Sequence, residues 1–319
     1  MADNNFRGAF LLSEVRKLQG DGYWPTSTGL SYGYKGGGVP AHTNIARIDF
    51  FNDLSSAIIR GNIVQTSAIP SGFFNQQSGY FAGGYNPELS TISRIEFSND
   101  LANAVTRGPL TASKYNLRST GNSSYGWIGG GVGPNPYPQY TYVDRVDYSN
   151  DSPTASPRGN LNTARGQAAA TGNKDFGWWG GGGYPGFSSI ERVNYSSDLS
   201  TASLRGNFTE TRRGAGATGN TNYGWWGGVW NPGASSIMER IEYLNDLSTA
   251  SIRGPLVAAT NYSASTCNSS YGWWPINTST STAVCRVDFN NDTAIAQFRG
   301  TMENKFHSGG DGVNHNAIN

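Results

Sequence analysis

Charge is scarce in this chain. Only 14% of its 319 residues are Asp, Glu, Lys or Arg, and the formal net charge is +1. No net basic field is available to hold nucleic acid or an anionic membrane surface. Histidine occurs three times, at His42, His307 and His315, which is little for metal or acid–base chemistry. Cysteine occurs twice, at Cys267 and Cys285, too few for a disulfide framework. Nowhere do 18 apolar residues run together, so no transmembrane helix and no membrane insertion are expected. The opening MADNNFRGAF has no apolar core of signal-peptide length, which points to synthesis and folding in a cytoplasm. Glycine is abundant instead, at 43, beside 17 Tyr, 14 Phe and 9 Trp. That aromatic load excludes a disordered chain. Glycine without a Gly-X-Y period excludes collagen and argues against long helices.

A repeat organises what is there. The run Arg-Val/Ile-Asp/Glu-Tyr/Phe-x-Asn-Asp recurs as RIDFFND, RIEFSND, RVDYSND, RIEYLND and RVDFNND, with RVNYSSD as a variant. Its arginines are Arg47, Arg94, Arg145, Arg192, Arg240 and Arg286. An Arg-Gly pair follows 13 residues later each time, at Arg60, Arg107, Arg158, Arg205, Arg253 and Arg299. An aromatic–glycine run such as YGWIGGG or FGWWGGGG precedes each of the first arginines.

Each unit reads as four short strands, a to d. In the fourth they are residues 165–173, 176–182, 189–195 and 201–208, separated by Thr-Gly-Asn and Ser-Ser-Asp turn residues. Four short strands per 40–50 residues, six times over, predict an all-β, six-bladed β-propeller of four-stranded blades. Seven blades is the alternative count. A solenoid of such units would need capping repeats, and a closed ring does not. In strand b, alternation places Trp225 and Trp226 on opposite faces, as suits a blade sandwiched between neighbours. The propeller is expected over residues 32–300. An N-terminal arm, residues 1–31, would supply the first blade's strand a from residues 9–31. A polar tail, residues 301–319, would follow the ring.

The order R-x-x-A-A-x-x-G-N, aromatic-Gly-Gly, R-V-D-Y-x-N-D resembles the kelch repeat over about residues 32–300. It departs from kelch in strand d, where Arg-Gly stands in place of the family's usual Trp. The phrases RVDYSND, AAATGN and YGWWGGG also resemble virion-associated repeat proteins of marine tailed phages, especially cyanophages. That resemblance implies a structural component of a phage virion, in a tail, fibre, neck or capsid-associated position. Its localisation would be the virion. Its partners would be other virion proteins or a host-surface receptor or glycan, with homo-oligomers open within the particle.

The repeated charges read as structure. The strand-c arginines with Asp53, Asp100, Asp151, Asp198, Asp246 and Asp292 recur once per unit. So do Asp49, Glu96, Asp147, Glu242 and Asp288, with Asn194 as the gap. Charges copied once per blade serve the blade, and the expectation is a ladder tying c to d within each one. Glu88, Asp144, Asp175, Glu191, Glu210 and Glu239, the other acids within residues 32–300, read as blade-edge residues. No HExxH, CxxC, GxSxG, Walker or EF-hand pattern occurs, so no catalytic residue, metal or cofactor is expected, and the reading is not an enzyme. The two thiols fall at opposite ends of their blade and are expected to be free.

What varies between units is the b–c loop. Variable loops on a rigid scaffold are where binding usually lives. The richest aromatic set there is Tyr137, Tyr140, Tyr142, Tyr184, Phe187 and Trp230, the candidate binding residues. The alternative to a virion protein is a lectin-like, glycan-binding propeller.

Overall fold

The computed structural model describes residues 32–230, 233–276 and 282–302. They form six antiparallel sheets, the blades of a β-propeller with almost no helix. Blade 1 shows strands b (Tyr32–Gly36), c (His42–Asp49) and d (Ile58–Ser67). Blades 2 to 6 are four-stranded in the order a-b-c-d and span residues 71–107, 118–157, 169–212, 216–253 and 266–301. The expected strand from residues 9–31, the N-terminal arm and the tail beyond Met302 lie outside the described residues.

Blade 4 shows how the sequence builds a unit. Strand a is Ala169–Gly172, b is Phe176–Gly180, c is Phe187–Asn194 and d is Ser203–Arg212. Strand a begins four residues later than its sequence pattern suggests, because Arg165 belongs to the loop before it. Strand c begins two residues earlier, so Phe187 lies in the strand and pairs with Arg212 across a bulged register.

Alternation along strand b sends one indole to each neighbouring blade. Trp178 stacks on Tyr243 of blade 5, with ring centroids 3.9 Å apart. Trp179 faces the other way and donates to the Arg118 carbonyl of blade 3 at 3.1 Å. Blade 5 repeats this, with Trp225 on Phe289 and Trp226 donating to the Ala169 carbonyl. These four indoles are fully buried, each removing roughly 150–250 Å² from water. The core is therefore a series of inter-blade layers.

The glycine of each Arg-Gly pair has a specific cause. A Cβ on Gly206 would fall onto the Ser248 carbonyl oxygen of the next blade, and one on Gly254 onto that of Ala294. Only glycine lets the next c–d turn approach this closely.

Both cysteines are buried thiols in blade 6, not joined in a disulfide. The Cys267 thiol lies 3.2 Å from the Gly219 carbonyl, and that of Cys285 lies 3.4 Å from the Trp274 carbonyl. Burial pushes each thiol up to about 12. A thiolate-specific reagent at pH 8 should therefore label neither residue in the folded protein and both in denaturant. Rapid labelling of the native chain would contradict this packing.

Candidate functional site

A ring of this kind has two ends. The c–d turns lie at one, and the b–c and d–a connections at the other.

At the c–d end every turn aspartate is met by one aromatic donor and two arginines, all from the preceding blade. Asp246 of blade 5 accepts from the Trp178 indole at 2.8 Å and from Arg192 at 3.0 Å, with Arg205 at 3.6 Å. Its backbone carbonyl accepts from Gly206 at 2.6 Å. Asp198 is held by Trp127, Arg145 and Arg158, and Asp292 by Trp225, Arg240 and Arg253. Asp100 and Asp151 take a tyrosine donor in place of tryptophan: Tyr34 with Arg47 and Arg60, and Tyr80 with Arg94 and Arg107. The sixth clamp closes the ring, with Trp273, Arg286 and Arg299 of blade 6 on Asp53 of blade 1.

This corrects the expected ladder. Arg47, Arg94, Arg145, Arg192, Arg240 and Arg286 reach Asp100, Asp151, Asp198, Asp246, Asp292 and Asp53 across the blade boundary, rather than tying c to d within one blade. The reason is position: each c–d turn reaches over the neighbour's Arg-Gly, so the partner acid is about one repeat away. The second acid set has another job. Asp49, Asp147 and Asp288 accept backbone N–H groups of the turn that follows, and Asn194 does the same in its unit. Among the described residues the pairing of Arg with the acid two positions on occurs at Arg94–Glu96.

Asp144, Glu191 and Glu239 are also corrected. They are fully buried strand-c acids rather than edge residues. Lys114 meets Asp144 at 2.9 Å, Arg165 meets Glu191 at 2.5 Å, and Arg212 pairs with Glu239. Each cation sits seven residues after a strand-d Arg.

The b–c end carries the exposed aromatics. Tyr137 and Tyr184 are 53% and 75% exposed and line one cleft of about 180 Å³ with Val132, Gln139, Gly166, Gln167, Gly183 and Arg213. The cleft joins the b–c loops of blades 3 and 4 to the d–a connections entering blades 4 and 5. Arg213 lies over the Tyr184 ring at 4.9 Å. Trp230, also exposed, lies beside it, its ring 6.2 Å from Tyr262 and its N–H on the Arg213 carbonyl. Tyr140 and Tyr142 stack on each other at 4.8 Å, outside the cleft. Phe187 packs against Arg165, 5.5 Å from its guanidinium, and does not join the lining. Of the six aromatics singled out from sequence, the structure brings two into the cleft and places a third at its border.

Gln139, Gln167, Arg213 and Tyr262 were not singled out. Asn116, Gln167, Gly214 and Tyr262 each fall nine residues after a strand-d Arg. All four are left-handed, with φ of 54°, 59°, 65° and 47°. They link blade to blade through Gln167 N–H on Asn116 carbonyl (3.0 Å), Gly214 on Gln167 (2.8 Å) and Tyr262 on Gly214 (2.6 Å). Three of the four are not glycine, an uncommon choice for that conformation and one concentrated at functional sites. The signal available in sequence was this position, which changes from unit to unit inside an otherwise constant frame.

Fold and site together define a β-propeller with a structural end and a variable, aromatic-rimmed end suited to binding. No family model matches the chain, and no curated protein matches it. Solved structures do: one, titled "Structure of YjhT", superposes with a TM-score of 0.63 at 12% identity, covering 83% of this chain and 92% of that one. At that identity the likeness establishes the fold alone.

The clamp generates a stability test. Asp246→Ala leaves an indole and two guanidinium groups without their acceptor, and should cost about 3 kcal/mol or more. Arg192→Ala leaves Trp178 and Arg205 on Asp246 and should cost less, about 1 kcal/mol. Denaturant midpoints of the two variants check the order, and equal losses would contradict the shared clamp. Acid should act on the same device. Burial alone would raise the Asp100 carboxyl, but the hydrogen bonds from Arg60 and Tyr34 and the charge of Arg47 outweigh it and hold it below the usual range. A depressed folded pKa gives stability that is present above the unfolded value and lost as pH falls through the folded one. The melting temperature of the wild type should therefore drop below about pH 4 and drop less in Asp100→Asn.

Proposed function

We propose that this protein is a non-enzymatic binding propeller of a tailed-phage virion, whose b–c rim engages a host-surface receptor or another virion protein. The observation that carries the binding part is the division of labour between the two ends. The clamp aspartates and the three buried strand-c acids are committed to holding blades together. The exposed aromatics Tyr137, Tyr184 and Trp230 converge at the opposite end, around a cleft with no carboxylate in its lining. Aromatic rims over a rigid scaffold suit recognition of proteins and sugars. The non-enzymatic part is supported by the same distribution. Glycoside hydrolysis needs two facing carboxyl groups, and the cleft supplies none. The virion part is supported by the phrasing of the repeats, and the polar arms suit docking on neighbouring chains.

The test is mass spectrometry of purified particles of the phage that encodes the chain. The protein should be present at a fixed copy number. Deleting residues 1–22 should leave a propeller with an unchanged melting temperature that fails to incorporate. Incorporation of the truncated chain at normal copy number would remove the arm's role, and absence of the full chain from particles would remove the virion role. Turnover of any glycoside by the purified propeller would overturn the non-enzymatic reading.

A further inference from the structure

The rim cleft is asymmetric in its hydrogen-bonding chemistry. The side-chain oxygen of Gln139 accepts from the Gly166 N–H at 2.8 Å. That of Gln167 accepts from the Tyr262 hydroxyl at 3.0 Å. A glutamine whose oxygen is committed presents its NH2 group to whatever lies beside it. Two amide donors therefore line the cleft. Arg213 adds a guanidinium whose Nε–H is buried without a hydrogen-bond acceptor among the described residues. Fifteen other described arginines and lysines meet carboxylates within 4 Å in the clamp and the buried pairs, whereas Arg213 makes no such pair among the described residues. Apart from the phenol oxygens of Tyr137 and Tyr184, the lining side chains offer no uncommitted strong acceptor.

From this geometry we infer that the cleft is a subsite for one carboxylate-bearing sugar, a uronate unit of an acidic polysaccharide. The inference rests on the reading of the rim as the binding end and names what it binds. The carboxylate would meet Arg213, which is built for paired contacts with that group. The ring oxygens would accept from Gln139 and Gln167. The tyrosine rings would flank the apolar face of the sugar. Size agrees, since about 180 Å³ is well below the roughly 300 Å³ at which pockets begin to enclose drug-sized ligands. One ring of a polymer fits, with its neighbours running out along the rim.

An acidic peptide is the poorer match. Its backbone brings N–H groups that need acceptors, and leaving them unmet in a closed contact costs binding. Sugar hydroxyls rotate to serve as acceptors and turn their own protons to water. The left-handed backbone at Tyr137 and Gln167, with φ of 66° and 59°, fixes both side chains at the cleft before any ligand arrives.

The experiment is calorimetric titration of the full chain with trigalacturonate, trimannuronate, methyl-esterified trigalacturonate and hexaglutamate. At least one free-acid oligouronate should bind saturably, and the methyl ester at least tenfold more weakly. Arg213→Ala should weaken uronate binding at least tenfold with no change in melting temperature, and Gln167→Glu should do the same by adding a carboxylate. Lys174→Ala, exposed at the far a–b end of blade 4, should bind as wild type. Failure of both uronates, equal binding of the ester, a preference for hexaglutamate, or full binding by Arg213→Ala would each overturn the proposal. Loss of uronate binding in a chain still found in particles removes this inference alone. Absence from particles removes the virion reading whatever the titration gives.

Discussion

The structure depends on one carboxylate bound by the blade before it. Each c–d turn aspartate takes an aromatic N–H or O–H and faces two guanidinium groups from its neighbour, and its own carbonyl takes the glycine N–H that follows the second arginine. A propeller blade has little reason to hold a fixed angle to the next one when only apolar faces meet. Directional, charge-assisted bonds set that angle. Because the aspartates are about 6–8% exposed and their arginines about a fifth, the bonds are partly screened from water without stranding a charge in the core. The same contact joins Trp273 of blade 6 to Asp53 of blade 1 across 220 residues, so the clamp recurs where the ring closes.

Two sequence oddities follow from the clamp. Arg-Gly stands in strand d because the next turn's backbone lies where a side chain on the glycine would project, and the arginine must reach past it. Strand b carries Trp-Trp because one ring completes the clamp ahead while the other fills the layer behind. The buried pairs Lys114–Asp144, Arg165–Glu191 and Arg212–Glu239 add a second tie, from the d–a connection, or the last residue of strand d, into the blade that follows. Breaking any one would leave an unmet charge in a dry layer, so cation and acid must change together. They do: Thr260 stands at the cation position where Cys285 stands at the acid position, and Ser67 where Ser93 stands.

Strands b, c and d and the six-fold count were legible because alternation, turn residues and a period near 48 agree with one another. The partners of the charges were not. Arg240 has an acid, Glu242, two residues away on its own strand and another, Asp292, 52 residues away, and spacing within one repeat cannot rank them. That ranking comes from how the ring folds over itself. The paired changes at the cation and acid positions did carry the information for the buried pairs. Tyr137, Tyr184 and Trp230 were visible as loop aromatics. Gln139, Gln167 and Arg213 were not, since three segments spread over 74 residues meet only after the ring has closed.

The two ends are linked through strain. Holding Asn116, Gln167 and Tyr262 left-handed costs about 1 kcal/mol or more apiece, and such backbone persists only where its surroundings over-determine it. Here the surroundings are the blade-to-blade hydrogen bonds through those same residues, and their spacing is set by the inter-blade angle. That angle is fixed at the other end by the clamps. A rim position that is free to change its side chain, yet fixed in backbone by contacts far from it, can take a new ligand without a new fold. This explains why the position nine residues past Arg107, Arg158, Arg205 and Arg253 is in turn Asn, Gln, Gly and Tyr, while the arginine itself does not vary.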